Sequence, residues 1–128
     1  MEKEGFEYLA THVFKAALEV HKTLGPGLLE SVYEFSIGKE LQIREISFQT
    51  QCKVPLFYKG HDTKKEFFID LLIEEEIIVE LKAVETIAPV HQAQLLSYMK
   101  LANKRMGFLI NFNVPLLKDG FKRIVNNY

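Results

Sequence analysis

Two apolar runs with charges set inside them constrain this chain more than any other stretch. In FFIDLLIEEEIIVELKAVE, residues 67–85, Asp70 interrupts the first run and Glu80 and Lys82 interrupt the second. Each run has strand length and is rich in Ile, Leu, Val and Phe, and the glutamates between them mark a turn. With Ile73 and Ile77 flanking a three-residue turn, the pairing sets Asp70 directly across from Glu80. Both carboxylates are then expected on one face, and the period of two adds Lys82 to it. On the opposite face Ile69, Leu71, Val79 and Leu81 are all apolar, so these strands belong in the middle of a sheet. Half-buried carboxylates side by side repel each other, and burial disfavours their charged forms, so the pair needs a cation or a shared proton. Lys82 brings one positive charge against two negative ones. A divalent metal would bring the rest, and hard oxygen ligands without histidine or thiol favour Mg²⁺ or Mn²⁺ over zinc. The same three residues would also serve as a structural ion-pair network at a sheet end.

The remaining chain supplies elements to flank such a sheet. Phe6, Leu9, Val13, Ala17, Val20 and Leu24 recur at helical spacing, and Gly25-Pro26-Gly27 ends that helix, because glycine suits a C-terminal cap and proline cannot donate into a continuing turn. A second helix follows to about Gln42. FQTQCKVPLFY, EFFIDLLI and IIVELKA read as three antiparallel strands separated by KGHDTK and EEE. Pro89 opens a helix to about Asn103, and GFLINF at 107–112 reads as a buried strand. Strand, helix, strand implies a right-handed parallel crossover. The tail adds a turn and an edge strand. The expected fold is α/β, a mixed central β-sheet flanked by helices, in one domain over residues 1–128.

Composition narrows the partners. Sixteen Lys and Arg stand against seventeen Asp and Glu, so there is no general field for nucleic acid, and binding would need a local basic patch. Lys104 and Arg105 are candidates for such a rim, as are Lys53, Lys59, Lys64 and Lys65; scattered solubilising charge accounts for them as well. No segment has the roughly 18 uncharged apolar residues of a membrane span, and the N-terminus lacks signal-peptide character, so a cytoplasmic protein without membrane contact is expected. The single cysteine, Cys52, excludes an internal disulfide and a cysteine-based zinc site. His12 and His21 fall on opposite helix faces and cannot share a metal. GPG lacks the Gly-Lys-Ser/Thr of a phosphate loop.

Two polar stripes remain. Gly27, Glu30 and Tyr33 step by three along the second helix, and Gln94 and Tyr98 lie one turn apart on the later helix, with His91 on the same side. Gly27-x-x-Glu30-x-x-Tyr33, Asp70, Glu80-x-Lys82, Gln94-x-x-x-Tyr98 and LINF, in that order, resemble the small bacterial GxxExxY proteins. These are similar to the PD-(D/E)XK nuclease superfamily, particularly its RecB-type, QxxxY branch. The resemblance runs from about Glu7 to Arg123, with Ile69 where the proline of the motif would stand. It implies a restriction-endonuclease-like core in which Asp70 and Glu80 bind metal, helped by the carbonyl of Leu81 and by Glu30, directly or through water. Lys82 would orient or deprotonate the attacking water and offset phosphate charge. Gln94 and Tyr98 would position the nucleic-acid backbone or hold the metal ligands, and Tyr33 would pack behind Glu30 with its hydroxyl bonded to a site residue. The implied reaction is Mg²⁺- or Mn²⁺-assisted in-line attack of water on a phosphodiester, in DNA. The alternative is a non-catalytic nucleic-acid- or protein-binding regulatory module that keeps the fold. Small size and balanced charge leave little surface to grip a duplex, which points to a homodimer or a partner protein.

Overall fold

The first apolar stripe folds as expected into α1 (Lys3–Leu24), which buries Phe6, Leu9, Val13, Ala17 and Val20. In the computed structural model, which describes residues 1–128, Gly25 follows it at φ 70° and ψ −176°, a conformation open essentially to glycine alone. Next come α2 (Glu30–Ile43), β1 (Phe48–Tyr58), β2 (His61–Ile73), β3 (Ile77–Lys82), α3 (Pro89–Leu101), β4 (Met106–Asn111), a 3₁₀ turn (Leu117–Gly120) and β5 (Phe121–Val125). The five strands lie side by side in chain order. Only β3 and β4 are parallel, with α3 as their crossover, and the other neighbours are antiparallel. The sheet is therefore mixed, as the sequence implied.

Its two faces carry separate cores. Leu71, Ile73, Ile77, Val79, Leu81, Phe108 and Ile110 pack with α1 and α2 on one side. Ile69, Leu72, Ile78 and Leu109 pack with Leu95 and Met99 of α3 on the other. α3 sits close to the sheet because Gly107 of β4 has no side chain; a Cβ there would meet the Met99 sulfur at 2.9 Å and Leu95 at 3.1 Å. No helix is long and apolar enough to cross a membrane.

Two details differ from the sequence reading. KGHDTK is not a loop: only Lys59 and Gly60, at φ 48° and 81°, make the reversal, and His61 to Lys65 continue the strand. The outer parts of β1 and β2 therefore form a two-stranded arm that β3, paired to β2 only at Leu71, Leu72 and Ile73, does not reach. The glutamate turn has the expected length, with Ile73 opposite Ile77, but it is more than a solvated bend. Glu74 accepts from the Ser47 N–H at 2.8 Å and the Ser47 hydroxyl at 3.1 Å.

The strands also change faces partway along. Leu71 and Ile73 look toward α1 and α2, whereas Phe67 and Ile69 join the α3 side. On β1 the switch recurs: Phe48 packs with the first core, and Cys52, Val54 and Leu56 with the second. Strict alternation would keep all the odd residues of β2 together, so the period slips by one at Asp70. Its β1 neighbour Gln51 carries the break in its backbone, at φ 50°, a strained value for a non-glycine residue in a strand.

Candidate active site

The slip at Asp70 opens a fork in the sheet. β2 and β3 pair as far as Leu71 and Val79, and one residue further out the carboxylates replace the backbone ladder. The Leu81 N–H donates to Asp70 Oδ2 at 2.8 Å, and the Asp70 N–H points to Glu80 Oε1 at 3.4 Å. Asp70 and Glu80 thus meet across the fork. They do not stand side by side on one face as expected, because the slip turns Asp70 toward α2 while Glu80, alternating with Val79 and Leu81, stays on the side of α3. Burial, reinforced by the negative charge of Asp70, pushes the Glu80 carboxyl up to about 9. At neutral pH Glu80 therefore carries a proton and shares it with Asp70.

From the α2 side three groups approach Asp70. Glu30 is the first residue of α2, and its Oε2 accepts from the Ala83 N–H, just past β3, at 3.3 Å. Glu34 lies one turn on. The amide of Gln51 donates to Glu34 at 2.7 Å and to Asp70 Oδ1 at 3.2 Å. Together Glu30, Ser31, Glu34, Gln51, Asp70 and Leu81 line a cavity of about 220 Å³. Glu34 and Gln51 were absent from the sequence reading. Glu34 follows Glu30 by four, which places it on the same helix face, and Gln51 falls opposite Asp70 once β1 is put in register with β2.

Tyr33 corrects an expectation. It is fully buried, stacks on Phe112 with ring centroids 4.3 Å apart, and bonds no site residue through its hydroxyl. That hydroxyl donates to the Gly25 carbonyl at 2.6 Å and accepts from the Leu28 N–H at 3.2 Å. It ties down the loop ahead of α2, and through that loop the start of the helix on which Glu30 sits. A buried ring has no access to nucleic acid.

On the α3 side Tyr98 lies flat on Phe67, with centroids 3.8 Å apart. Burial first, then the charges of Glu80 and Asp70, raise its hydroxyl above the usual tyrosine range. Gln94 is exposed and makes no hydrogen bond. His91 accepts the Ala88 N–H at 3.1 Å and so serves the start of α3. Lys82, half-buried at the end of β3, forms no ion pair, and its charge is felt by Glu80. Beside it in the ladder, buried Asn111 holds the exit from β3: its Oδ1 accepts from the Val84 N–H at 3.1 Å and its Nδ2 donates to the Val84 carbonyl at 2.9 Å.

Lys104 and Arg105 are not brought to this site. They precede Met106, which pairs with Ile77, whereas Lys82 pairs with Asn111 at the other end of β4, about 16 Å along the strand. Lys104 Nζ donates to the Glu75 carbonyl at 2.7 Å, and Arg105 covers Phe6 and donates to the Met1 carbonyl at 2.6 Å. Both close the far end of the sheet.

The donor set bears on a metal as well. No group of three or more His, Cys, Asp or Glu side chains is placed to hold an ion by itself. Mg²⁺ rarely needs such a cage: it binds through one or two carboxylates and keeps water and substrate phosphate oxygens as its other ligands. Asp70 and Glu80, which share a proton, fit that pattern, and Glu30 lines the same cavity as Asp70. His21, the one buried histidine, is occupied with the Val114 carbonyl at 2.7 Å.

A family model described as the PD-(D/E)XK nuclease superfamily matches residues 7–124. No curated protein and no solved structure gives a match.

Proposed function

We infer the function from one premise: the chain belongs to the PD-(D/E)XK nuclease superfamily, whose restriction-endonuclease-like core its mixed sheet and flanking helices reproduce. From that premise we propose that residues 1–128 form one nuclease domain of the GxxExxY type, in the RecB-like QxxxY branch, that hydrolyses phosphodiester bonds in DNA with Mg²⁺ or Mn²⁺. The observation that supports this most is the Asp70–Glu80 pair, a half-buried and a buried acid that lack an ion-pair partner. Nucleases of this superfamily generally use divalent metals.

Asp70, Glu80 and the Leu81 carbonyl would hold the ion, with Glu30 reaching it through water. When bound, the ion supplies Lewis-acid activation of water and charge stabilisation at the phosphoryl group. To hold the ion as a carboxylate, Glu80 would have to release the proton it carries. Gln51 and Glu34 hold the carboxylate of Asp70 in place. Lys82, free of ion pairs at the mouth of the fork, orients the attacking water and offsets phosphate charge. Tyr98 aligns the sugar-phosphate backbone from α3, and exposed Gln94 is free to bond it.

The test is cleavage of single-stranded, double-stranded and branched DNAs, and of RNA, with Mg²⁺ and Mn²⁺, comparing wild type with Lys82→Ala. Loss of an acid-base group costs about 10²–10⁴-fold. We expect a loss of that order with the melting temperature unchanged. Equal cleavage by a well-folded Lys82→Ala protein overturns the assignment of the reaction to this site.

A further inference from the structure

The arm formed by the outer halves of β1 and β2 has one covered face and one open face. Cys52, Val54, Leu56, Phe67 and Ile69 turn inward against α3. The slip at Asp70 decides what the other face shows. Because Phe67 and Ile69 point inward, Phe68 and Asp70 share the outer face, two residues and about 7 Å apart. Lys53 is the cross-strand neighbour of Phe68, and Phe57 stands further out. Phe68 is 48 % exposed, Phe57 54 % and Tyr58 64 %, a set of open aromatic rings, none stacked on another ring of the fold.

The charge of the arm runs against that of the chain. Between Lys53 and Phe68 there are four lysines, one aspartate and one glutamate, in a protein of net charge −1. Lys53 and Lys64 are paired with Glu66 and Asp62 at 3.1 and 3.6 Å. Lys59 and Lys65 have no ion pair, and Lys59 lies 5.5 Å from the Tyr58 ring centre.

We propose that the outer face of this arm is a track for a single-stranded polynucleotide, with bases stacked on Phe68 and Phe57 and phosphates met by Lys59 at the tip and by Lys53 beside Phe68, feeding the strand toward Asp70. The proposal rests on the nuclease reading and names its substrate class. Flat aromatic rings on an open ribbon accept unstacked bases, whereas a duplex keeps its bases inside and offers only phosphates. A purely apolar partner would leave the net positive charge of the arm unanswered. The continuity of Phe68 with Asp70 on one face gives the track its direction.

The experiment measures binding without chemistry: fluorescence anisotropy in EDTA with labelled oligo(dT), oligo(rU) and a DNA duplex of equal length. Wild type is expected to prefer a single strand. Phe68→Ala should weaken that binding about tenfold and Phe68→Trp should retain it, in keeping with stacking on an aromatic ring. Lys53→Ala combined with Lys59→Ala should lower the slope of log affinity against log salt by about 1.4, two phosphate contacts on a single strand. Whichever oligonucleotide binds through Phe68 identifies the sugar of the natural strand. Preference for the duplex, or single-strand affinity unaffected by Phe68→Ala, overturns the proposal. Because EDTA removes cleavage from the measurement, failure of the track leaves the Lys82→Ala result standing, and failure of that result leaves the track standing.

Discussion

Two carboxylates of this molecule meet opposite treatment. Glu7 on α1 is gripped by Arg123 of β5, whose Nη1 donates to Oε1 at 2.9 Å, and by the Tyr128 hydroxyl at 2.5 Å. The hydrogen bond from Arg123, then that from Tyr128, holds the Glu7 carboxyl down at about 2. Tyr128 in turn packs edge-on against Phe6, its ring centre 5.6 Å away. Glu80 has the reverse surroundings, with burial and Asp70 pushing it up to about 9. Glu7 has its countercharge built into the chain and closes a terminus onto the fold. Glu80 is given a second acid, a half-buried lysine that forms no ion pair with it, and a fork in the sheet. A carboxylate whose charge the fold answers is structural, and one whose charge the fold refuses is set up to receive a cation.

Stability against pH should separate the two. Glu80 is raised, so between about 4.5 and about 9 the folded protein keeps a proton that the unfolded chain releases, and stability falls as pH rises through that window. Wild-type melting temperature in EDTA should therefore decline from pH 5 to pH 9. Glu80→Gln, shaped like the protonated acid, should flatten that decline and melt several degrees above wild type at the alkaline end. A wild-type curve that is flat across the window removes the contrast. Glu7 is depressed, so its contribution is present above about 4.5 and is lost as pH falls toward about 2. It is fully exposed, so Glu7→Gln should lower the melting temperature only slightly at neutral pH, and high salt should erase the difference. A large drop that salt leaves untouched would make Glu7 part of the core assembly.

Much of this arrangement was legible in the residues. The register of β2 against β3 followed from a three-residue turn between Ile73 and Ile77, and the helical stripe from Phe6 to Val20 announced which face α1 buries. Gly25 marked the end of α1 because the chain there needs a positive φ. What stayed hidden depended on local breaks that periodicity cannot express. Gln51 adopts φ 50° without being glycine, and the resulting slip moved Asp70 off the face of Glu80 and turned Phe68 outward. Tyr33 was readable as a buried ring, but its hydroxyl found backbone atoms eight and five residues away, which only the loop geometry decides. Lys104 and Arg105 looked free as a basic pair; the parallel crossover was expected, but their distance from Lys82 became visible only with its register, Ile77 beside Met106 and Lys82 beside Asn111.

The most direct test of the fork as a cation site is thermal denaturation of wild type and Asp70→Asn, each in EDTA and with Mn²⁺ or Mg²⁺. In Asp70→Asn the amide oxygen can keep the bond from the Leu81 N–H, its NH₂ can donate to an ionised Glu80, and the Gln51 amide keeps Glu34 as its acceptor, so the charge that helps hold Glu80 protonated is removed with little change of shape. The mutant should melt at or above wild type in EDTA. Metal at a hundred times its dissociation constant adds about 2.7 kcal/mol to a protein that binds it, visible as a shift of several degrees, and that shift should appear in wild type and vanish in the mutant. If Asp70→Asn melts well below wild type in EDTA and neither metal moves the wild type, the pair is a structural ion network and the fork holds no cation.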